Sequence, residues 1–229
     1  MSVFASLRQA FHPGDAPAIR MPETLPPAGS GTPAAGQSTP STLPIRLRPL
    51  TLDDEDEWNA LRWANRDWLA PWDSGDPTHG SPLTFASWIH RQRRAEANGT
   101  GALFAIEHHM RIVGQISLGA VVYGSMRTGV VGYWVDHGHA GHGFAPMAVA
   151  TLADWALADP LGPQLHRLEI AILPENHRSR RVVEKLGAHA EGVRPGYMYI
   201  NGQWRDHETY SLLAEDAGEG FVCRLMAAR

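Results

Sequence analysis

Gly141-His142-Gly143-Phe144-Ala145 stands between a predicted strand near residues 129–136 and a predicted helix that runs to about Ala158. Glycines let the backbone turn tightly and come close to a ligand, and the free amides of a helix N-terminus favour an anion, most naturally a phosphate. The stretch is not a dinucleotide fingerprint, because Pro146 replaces the third glycine, and it is not a Walker loop, because no Gly-Lys-Ser/Thr follows. An ordinary tight turn would leave the same short pattern, so both interpretations stay open on this stretch alone.

A second motif, Pro174-Glu-Asn176-His-Arg-Ser179-Arg-Arg-Val-Val-Glu-Lys-Leu-Gly187, follows the next predicted strand at residues 165–173. A strand–helix–strand crossover between the two strands should be parallel and right-handed. Both loops would then emerge at the carboxyl ends of neighbouring strands, where open sheets bind ligands. Ser179 shares a helical stripe with Val182, Val183 and Leu186, where it could face the ligand or bond a carbonyl one turn back.

The rest of the chain predicts a mixed α/β domain whose sheet is mostly antiparallel, with one parallel pair of strands. The alternation in residues 45–50 predicts a strand, and a cap at Thr51 predicts a helix to about Asp67. A second helix is expected near residues 83–97, and the remaining strands near 102–107, 111–122 and in a closing hairpin at 196–213 that turns at Asn201-Gly202.

Composition excludes several classes of protein. The 229 residues carry 20 Lys and Arg against 24 Asp and Glu, a net charge of −4, so the basic footprint of a nucleic-acid-binding protein is missing. The single cysteine, Cys223, rules out an intrachain disulfide or a cysteine-based zinc site. The sequence shows neither an apolar run of membrane-spanning length nor a secretory pattern. We therefore expect a cytoplasmic protein, monomeric or homodimeric, without direct nucleic-acid or membrane partners.

The domain boundaries follow from a change in composition. Residues 1–44 hold eight of the 17 prolines and few large apolar residues, so we expect a flexible leader or a segment that docks on a partner. Residues 45–214 are expected to form one domain, followed by a C-terminal tail at 215–229.

The two motifs together resemble those of the GNAT superfamily of acetyl-CoA-dependent N-acetyltransferases. Residues 45–50, 131–136 and 200–207 (Ile-Asn-Gly-Gln-Trp-Arg-Asp-His) resemble more narrowly the branch that contains the ribosomal-protein alanine N-acetyltransferases. The resemblance covers about residues 45–214. It implies a GNAT fold in which the parallel strands splay around acetyl-CoA, the co-substrate.

The resemblance also implies roles for individual residues. Asn176 would hydrogen-bond the pantetheine arm, and Ser179 would lie near the sulfur as a proton donor to the leaving thiolate. The implied cofactor-binding residues are, from the strand that pairs with pantetheine, Tyr133, Trp134 and Val135; from the pyrophosphate loop, Gly141, His142, Gly143, Phe144 and Ala145; and from the following motif, Asn176, Ser179 and Arg181. Arg178 and Arg180 could also meet phosphate, although a solvated charge explains them equally well.

The chain departs from the family pattern at the general base. Some relatives carry a glutamate just ahead of the Gly-Tyr-Trp segment or in the final hairpin, where this sequence has Val130 and Met198, so the base is unassigned. Glu169, an acid in an apolar strand, could act catalytically by relaying a proton through water, or could pair with Arg167 or Arg48. Asp136 is the second candidate, although an acid at a strand end is often a cap. An α-amine needs little help, since about a tenth of it is neutral at pH 7, whereas a lysine amine needs far more.

These observations predict direct acetyl transfer to a primary amine, most naturally a protein N-terminal α-amine of the ribosomal-protein alanine type. A small-molecule amine is one alternative, and a non-catalytic acyl-CoA-binding regulatory domain is another. No metal is expected, because the histidines near the glycine loop have no cysteine and no firm acidic partner other than Asp136. Five of the eight tryptophans lie between Trp58 and Trp88, where they would pack in the core or flank the acceptor cleft.

Overall fold

A computed structural model describes residues 16–27, 45–78 and 83–228. These residues form one seven-stranded sheet in the order β1-β2-β3-β4-β5-β7-β6. The strands are β1 (Ile45–Pro49), β2 (Ala102–His108), β3 (Arg111–Val122), β4 (Thr128–Val135), β5 (Arg167–Ile172), β6 (His189–Ile200) and β7 (Gln203–Leu213). Only β4 and β5 pair in parallel, and the other neighbours are antiparallel. The predicted mixed α/β class is confirmed.

Helices cover both faces of the sheet. They are α1 (Glu55–Ala64), α2 (Arg66–Leu69), α3 (Phe85–Ala97), α4 (Phe144–Leu157), α5 (His177–Lys185) and α6 (Phe221–Ala227). The larger core lies on the face covered by α4, α5 and α6, and a smaller cluster beneath α1 and α3 covers the other face. No helix within the described residues is long and apolar enough to cross a membrane.

The parallel pair is short, and this positions the functional site. Only residues 128–130 of β4 pair with β5, at residues 167–169. Beyond that point β4 stays bonded to β3, while β5 stays bonded to β7. The two strands therefore separate, and the facing edge of β4 at residues 131–135 has no β5 partner.

The segment expected to be a tail completes the core. Phe221 and Val222 are fully buried, and their backbone amides donate to the two carboxylate oxygens of Asp154 at 2.6 and 3.1 Å. Asp154 on α4 thus caps α6 by satisfying amides that a helix start leaves free. This explains why α4 is apolar on nearly every side, since it packs between the sheet and α6.

Part of the expected leader also contacts the domain. Ile19 and Leu25 are buried, and Leu25 exchanges two backbone hydrogen bonds with Leu47 at 2.7 and 2.9 Å. The segment therefore packs against the domain at two places, with Leu25 at β1 and the backbone N–H of Ile19 donating to the carbonyl oxygen of Glu96 on α3 at 2.8 Å. The remainder of the expected leader, residues 1–15 and 28–44, lies outside the described residues.

Two elements differ from the sequence-based expectation. The first predicted helix is interrupted at Asn65, where α1 gives way to the short α2. The closing hairpin is longer than residues 196–213, because β6 already begins at His189. Its first half carries Gly192 and Pro195 and pairs irregularly with β7, so it lacks a strand's alternating pattern. The turn at Asn201-Gly202 is as predicted, with positive φ at both residues.

Candidate active site

The glycine loop opens α4 with its amides exposed. Gly141 and Gly143 both have φ of +85°, a conformation that favours glycine, and Gly143 is the residue before the helix. A Cβ added to Gly141 would meet nothing within 4 Å, so open space lies beside the backbone. Pro146 occupies the third helical position, where its missing N–H costs no intrahelical bond. The geometry of an anion site at a helix N-terminus is therefore present.

An open cleft of about 1680 Å³ extends from this loop through the gap between β4 and β5. It brings together ten of the residues predicted to hold the co-substrate: Tyr133, Trp134, Val135, Gly141, Gly143, Phe144, Ala145, Asn176, Ser179 and Arg181. His142 is exposed and is not among the lining residues, so its contribution would be limited to its backbone. The glycine loop and the second motif, which are separated in the sequence, thus line the same cleft.

Tyr133 ties the free edge of β4 to the second motif. Its hydroxyl donates to the carbonyl oxygen of Ser179 at 3.5 Å. Burial raises the pKa of Tyr133 to about 12, so the hydroxyl stays protonated near neutral pH. This contact fixes the distance between β4 and the start of α5, the two walls of the cleft.

Asn176 begins α5 as its N-cap. Its Oδ1 accepts a hydrogen bond from the backbone N–H of Ser179 at 3.2 Å. An asparagine side chain offers one carbonyl and one NH₂ group, so the cap uses the acceptor and leaves the amide hydrogens for other partners. Asn176 and Ser179 both line the cleft, and the cap holds them in a fixed relation.

A row of cations follows along α5. Arg178, Arg181 and Lys185 all line the cleft, at spacings of three and four residues that share a helix face. The guanidinium of Arg178 stacks 4.3 Å from the ring centroid of Trp68. Arg180 points elsewhere, because it donates to the carbonyl of Pro174 and pairs with a glutamate of β7, each at 2.8 Å. Lys185 was missed in the sequence, although its helical spacing from Arg181 was a usable signal.

Glu169 does not have the position expected of a proton relay. It is 6% exposed and is not among the residues that line the cleft. Arg194 binds both carboxylate oxygens at 2.7 and 2.6 Å, and the Tyr197 hydroxyl donates to Oε1 at 2.6 Å. The predicted catalytic role is therefore corrected to a structural one, in which Glu169 anchors β6 onto β5. The arginine that pairs with Glu169 is Arg194, at 2.6 Å, whereas Arg167 lies at 3.7 Å and Arg48 pairs with Asp54 and Glu107 instead.

Asp136 is likewise a structural acid. It accepts hydrogen bonds from the Asn65 side chain at 2.6 Å and from Nδ1 of His139 at 2.7 Å. Burial acts to raise the pKa of Asp136, but the hydrogen bonds from Asn65 and His139 outweigh it and lower the pKa below its usual value. Asp136 thus fastens the loop before α4 to the helical layer. Among the described residues, no group of three or more His, Cys, Asp or Glu side chains is arranged to hold a metal ion.

The other end of the cleft is aromatic. The tryptophans that line it are Trp58, Trp68, Trp72, Trp88 and Trp134. The guanidinium of Arg62 lies 5.9 Å from the ring centroid of Trp58 and 5.4 Å from that of Trp134, and pairs with Asp73 at 2.7 Å. Tyr197 and His207 complete this end. The sequence had singled out neither Arg62 nor His207.

Comparison with known proteins identifies the class. The solved structure of Mycobacterium smegmatis RimJ in complex with CoA-disulfide matches with a TM-score of 0.74 and 31% identity, covering 80% of this chain and 88% of that one. Ribosomal-protein-S5-alanine acetyltransferase from Vibrio fischeri matches with a TM-score of 0.66 and 27% identity, covering 76% and 94%.

Sequence relatives agree. The probable N-acetyltransferase YjcK of Bacillus subtilis is 31% identical over 75% of this chain and 95% of its own length. The [ribosomal protein uS5]-alanine N-acetyltransferase of Escherichia coli is 26% identical over 78% and 91%. The protein-family model of the acetyltransferase (GNAT) domain matches residues 45–189 of this chain. The chain therefore belongs to the GNAT family as an N-acetyltransferase with acetyl-CoA as its co-substrate.

Proposed function

We propose that this enzyme acetylates the N-terminal α-amine of a protein, as the ribosomal-protein alanine acetyltransferases among its relatives are named for doing. The observation that carries the proposal is the open aromatic end of the cleft, which adjoins the free edge of β4. A mobile protein N-terminus could enter such an opening. Acetylation of ribosomal proteins would place the enzyme in the cytoplasm.

The residues present fit acetyl-CoA. The amides at Gly143, Phe144 and Ala145 would receive the pyrophosphate, and the open space beside Gly141 leaves room for it. Arg181 and Lys185 would add positive charge for the remaining phosphate. The free edge of β4, from Tyr133 to Val135, would pair with the pantetheine arm, and Asn176 would donate to it.

Acetyl transfer would then proceed directly from thioester to amine. The amine lone pair forms the new C–N bond, and backbone amides of β4 stabilise the negative charge that develops on the carbonyl oxygen. The C–S bond breaks with its electron pair on sulfur, and the hydroxyl of Ser179 would protonate the thiolate and regain a proton from solvent. The nitrogen would lose one proton, which passes through a base to solvent. Cys223 lies on α6 and is not among the residues that line the cleft, so a covalent acyl-cysteine step is not part of this proposal.

The charges around the acceptor end favour an α-amine. The three carboxylates that line the cleft each lie beside an arginine: Asp67 with Arg66 at 3.5 Å, Asp73 with Arg62 at 2.7 Å and Glu175 with Arg205 at 2.6 Å. Of these, Glu175 has a lowered pKa, because its own backbone amide and Arg205 hydrogen-bond to the carboxylate, so it is a poor base for a lysine ammonium, which titrates near ~10.4. An α-amine, about a tenth neutral at pH 7, needs only a weak base.

The test measures thiol release from acetyl-CoA with two matched peptides. One has a free N-terminal alanine or serine and no lysine, and the other has a blocked N-terminus and one lysine. Release with the first alone supports the proposal, and release with the second alone overturns it. Release with neither peptide, but with a small amine such as a polyamine or an aminoglycoside, would assign the enzyme to small-molecule acetylation.

A further inference from the structure

His207 is a buried histidine that faces the cleft. It lies on β7 and is 2% exposed, yet it lines the same space as Ser179 and Trp134. Glu208, the next residue along β7, pairs with Ile172, the last residue of β5. His207 therefore sits just beyond the carboxyl end of β5, where the sheet has opened.

The face of the sheet that His207 occupies is the acceptor side. Side chains alternate along a strand, so His207 shares a face with Thr209 and Ser211. Ser211 is the register partner of Glu169, whose side chain is covered by Tyr197. His207 thus projects toward the side bounded by Tyr197 and the tryptophans, away from the core under α4.

A single hydrogen bond sets the chemical state of the ring. Nδ1 of His207 lies 3.0 Å from the carbonyl oxygen of Arg205. A carbonyl only accepts, so Nδ1 must carry the proton of the neutral ring. The lone pair is then on Nε2, the nitrogen that a base uses.

The groups around His207 are compatible with a base. The Tyr197 ring meets it edge-on with centroids 5.9 Å apart, and the hydroxyl of Tyr197 is engaged by Glu169, itself paired with Arg194. From the loop after β5, Glu175 lines the same cleft as His207 and brings a carboxylate to that wall. The side chain of Arg205 is neutralised by that same glutamate.

We propose that His207 is the general base of acetyl transfer, accepting through Nε2 the proton that the acceptor amine loses. The amine nitrogen forms its bond to the thioester carbon, Nε2 takes one proton from nitrogen, and the C–S bond breaks as the thiolate leaves and is protonated. The imidazolium then returns its proton to solvent. The inference rests on acetyl transfer in this cleft and holds whichever amine is acetylated, so it is independent of the α-amine proposal.

The experiment compares wild-type enzyme with the variants His207→Gln and His189→Gln, using whichever acceptor in the peptide and small-amine panel gives turnover. His189 lies on the same hairpin and pairs with Asp216 at 2.8 Å, outside the cleft lining. His207→Gln should lower kcat/KM on the order of 100-fold, with acetyl-CoA affinity by calorimetry unchanged. His189→Gln should match the wild type.

The pH profile separates a base from a packing residue. The acid-side slope of log(kcat/KM) against pH counts the groups that must lose a proton. The slopes of the wild type and of His189→Gln should each correspond to one more deprotonating group than the slope of His207→Gln. A variant that keeps the wild-type slope, or kcat/KM within about 3-fold, overturns the inference.

A second measurement does not require turnover or a folded variant. The ¹⁵N chemical shifts of the His207 ring in wild-type enzyme with acetyl-CoA should report a protonated Nδ1 and an unprotonated Nε2 at pH 8. The opposite tautomer would overturn the assignment. If neither the peptides nor the small amines are acetylated, the α-amine proposal fails while this measurement still tests His207.

Discussion

The side-chain amide of Asn65 donates to the carboxylate of Asp136 over 2.6 Å, joining the helical layer to the end of β4. Asn65 is 2% exposed, and its Oδ1 accepts from the backbone N–H of His137 at 2.8 Å. Asn65, at the interruption between α1 and α2, therefore links these helices to the residues that follow β4, the strand proposed to face the co-substrate.

Replacing Asn65 by alanine should lower the free energy of unfolding by about 1–3 kcal/mol, because the part-buried amide of His137 loses its partner and the Asp136 carboxylate keeps only His139 as a side-chain partner. Urea unfolding measures the change. The matched control is Asn59→Ala, an exposed position on the same helix, which should shift stability by no more than about 0.5 kcal/mol. Equal effects at both positions would show that the link to Asp136 contributes nothing.

The same link should make stability depend on pH. The pKa of Asp136 is lowered in the folded state, so the unfolded chain binds the proton more readily. The stabilisation is complete above the unfolded value, about 3.9, and is lost as pH falls through the lower folded value. Wild type should therefore exceed Asp136→Asn in stability at pH 6, and the difference should shrink below pH ~4. Urea titrations at several pH values test this, and a constant difference would contradict it.

Much of the fold could be predicted from the sequence, because the patterns that specify it lie within short stretches of the chain. The amphipathic helices, the Asn201-Gly202 turn and the crossover between the two motifs follow from spacing and turn chemistry within short windows. The first half of β6 could not be predicted from the sequence, because Gly192 and Pro195 interrupt the alternating pattern of a strand. This half is a strand only through its pairing with β7. The packing of Leu25 against Leu47 is equally non-local.

Residues close together in one motif could be placed from the sequence, whereas contacts that depend on a tertiary partner could not. Asn176 and Ser179 lie within one helical turn of a single motif, and both line the cleft. Glu169 was recognised as unusual, but its partner Arg194 lies in the unpredicted half of β6. His207 was quoted within a motif, yet nothing in a strand sequence tells which ring nitrogen meets a carbonyl.

A charge placed at the glycine loop should weaken co-substrate binding. Gly143→Asp puts a carboxylate beside the α4 amides proposed to hold the pyrophosphate, so acetyl-CoA affinity should fall at least about 10-fold. Gly143→Asn is the matched control, since both residues tolerate positive φ to a similar degree and differ by the charge. Calorimetry measures both. Indistinguishable affinities would remove the loop from phosphate binding.

Removing the Ser179 hydroxyl should slow turnover without releasing the co-substrate. Ser179→Ala keeps the backbone N–H that Asn176 caps, so the start of α5 should be preserved. We expect kcat to fall roughly 100-fold if the hydroxyl protonates the thiolate, with acetyl-CoA affinity within about 3-fold of wild type. Single-turnover kinetics test the step directly. An unchanged rate would show that water, rather than Ser179, supplies the proton.

The cationic side chains of α5 should affect acetyl-CoA binding only where they line the cleft. Arg181→Gln and Lys185→Gln should each weaken acetyl-CoA binding several-fold, and the loss should be larger at low salt, because partly exposed charges are screened. Arg180→Gln is the control on the same helix: its guanidinium serves Pro174 and Glu208, so it should lower thermal stability while leaving affinity unchanged. Calorimetry at two salt concentrations, with unfolding curves for each variant, separates the two effects. If Arg180→Gln loses as much acetyl-CoA affinity as Arg181→Gln, the position of α5 affects binding, and the cations that line the cleft make no specific contribution.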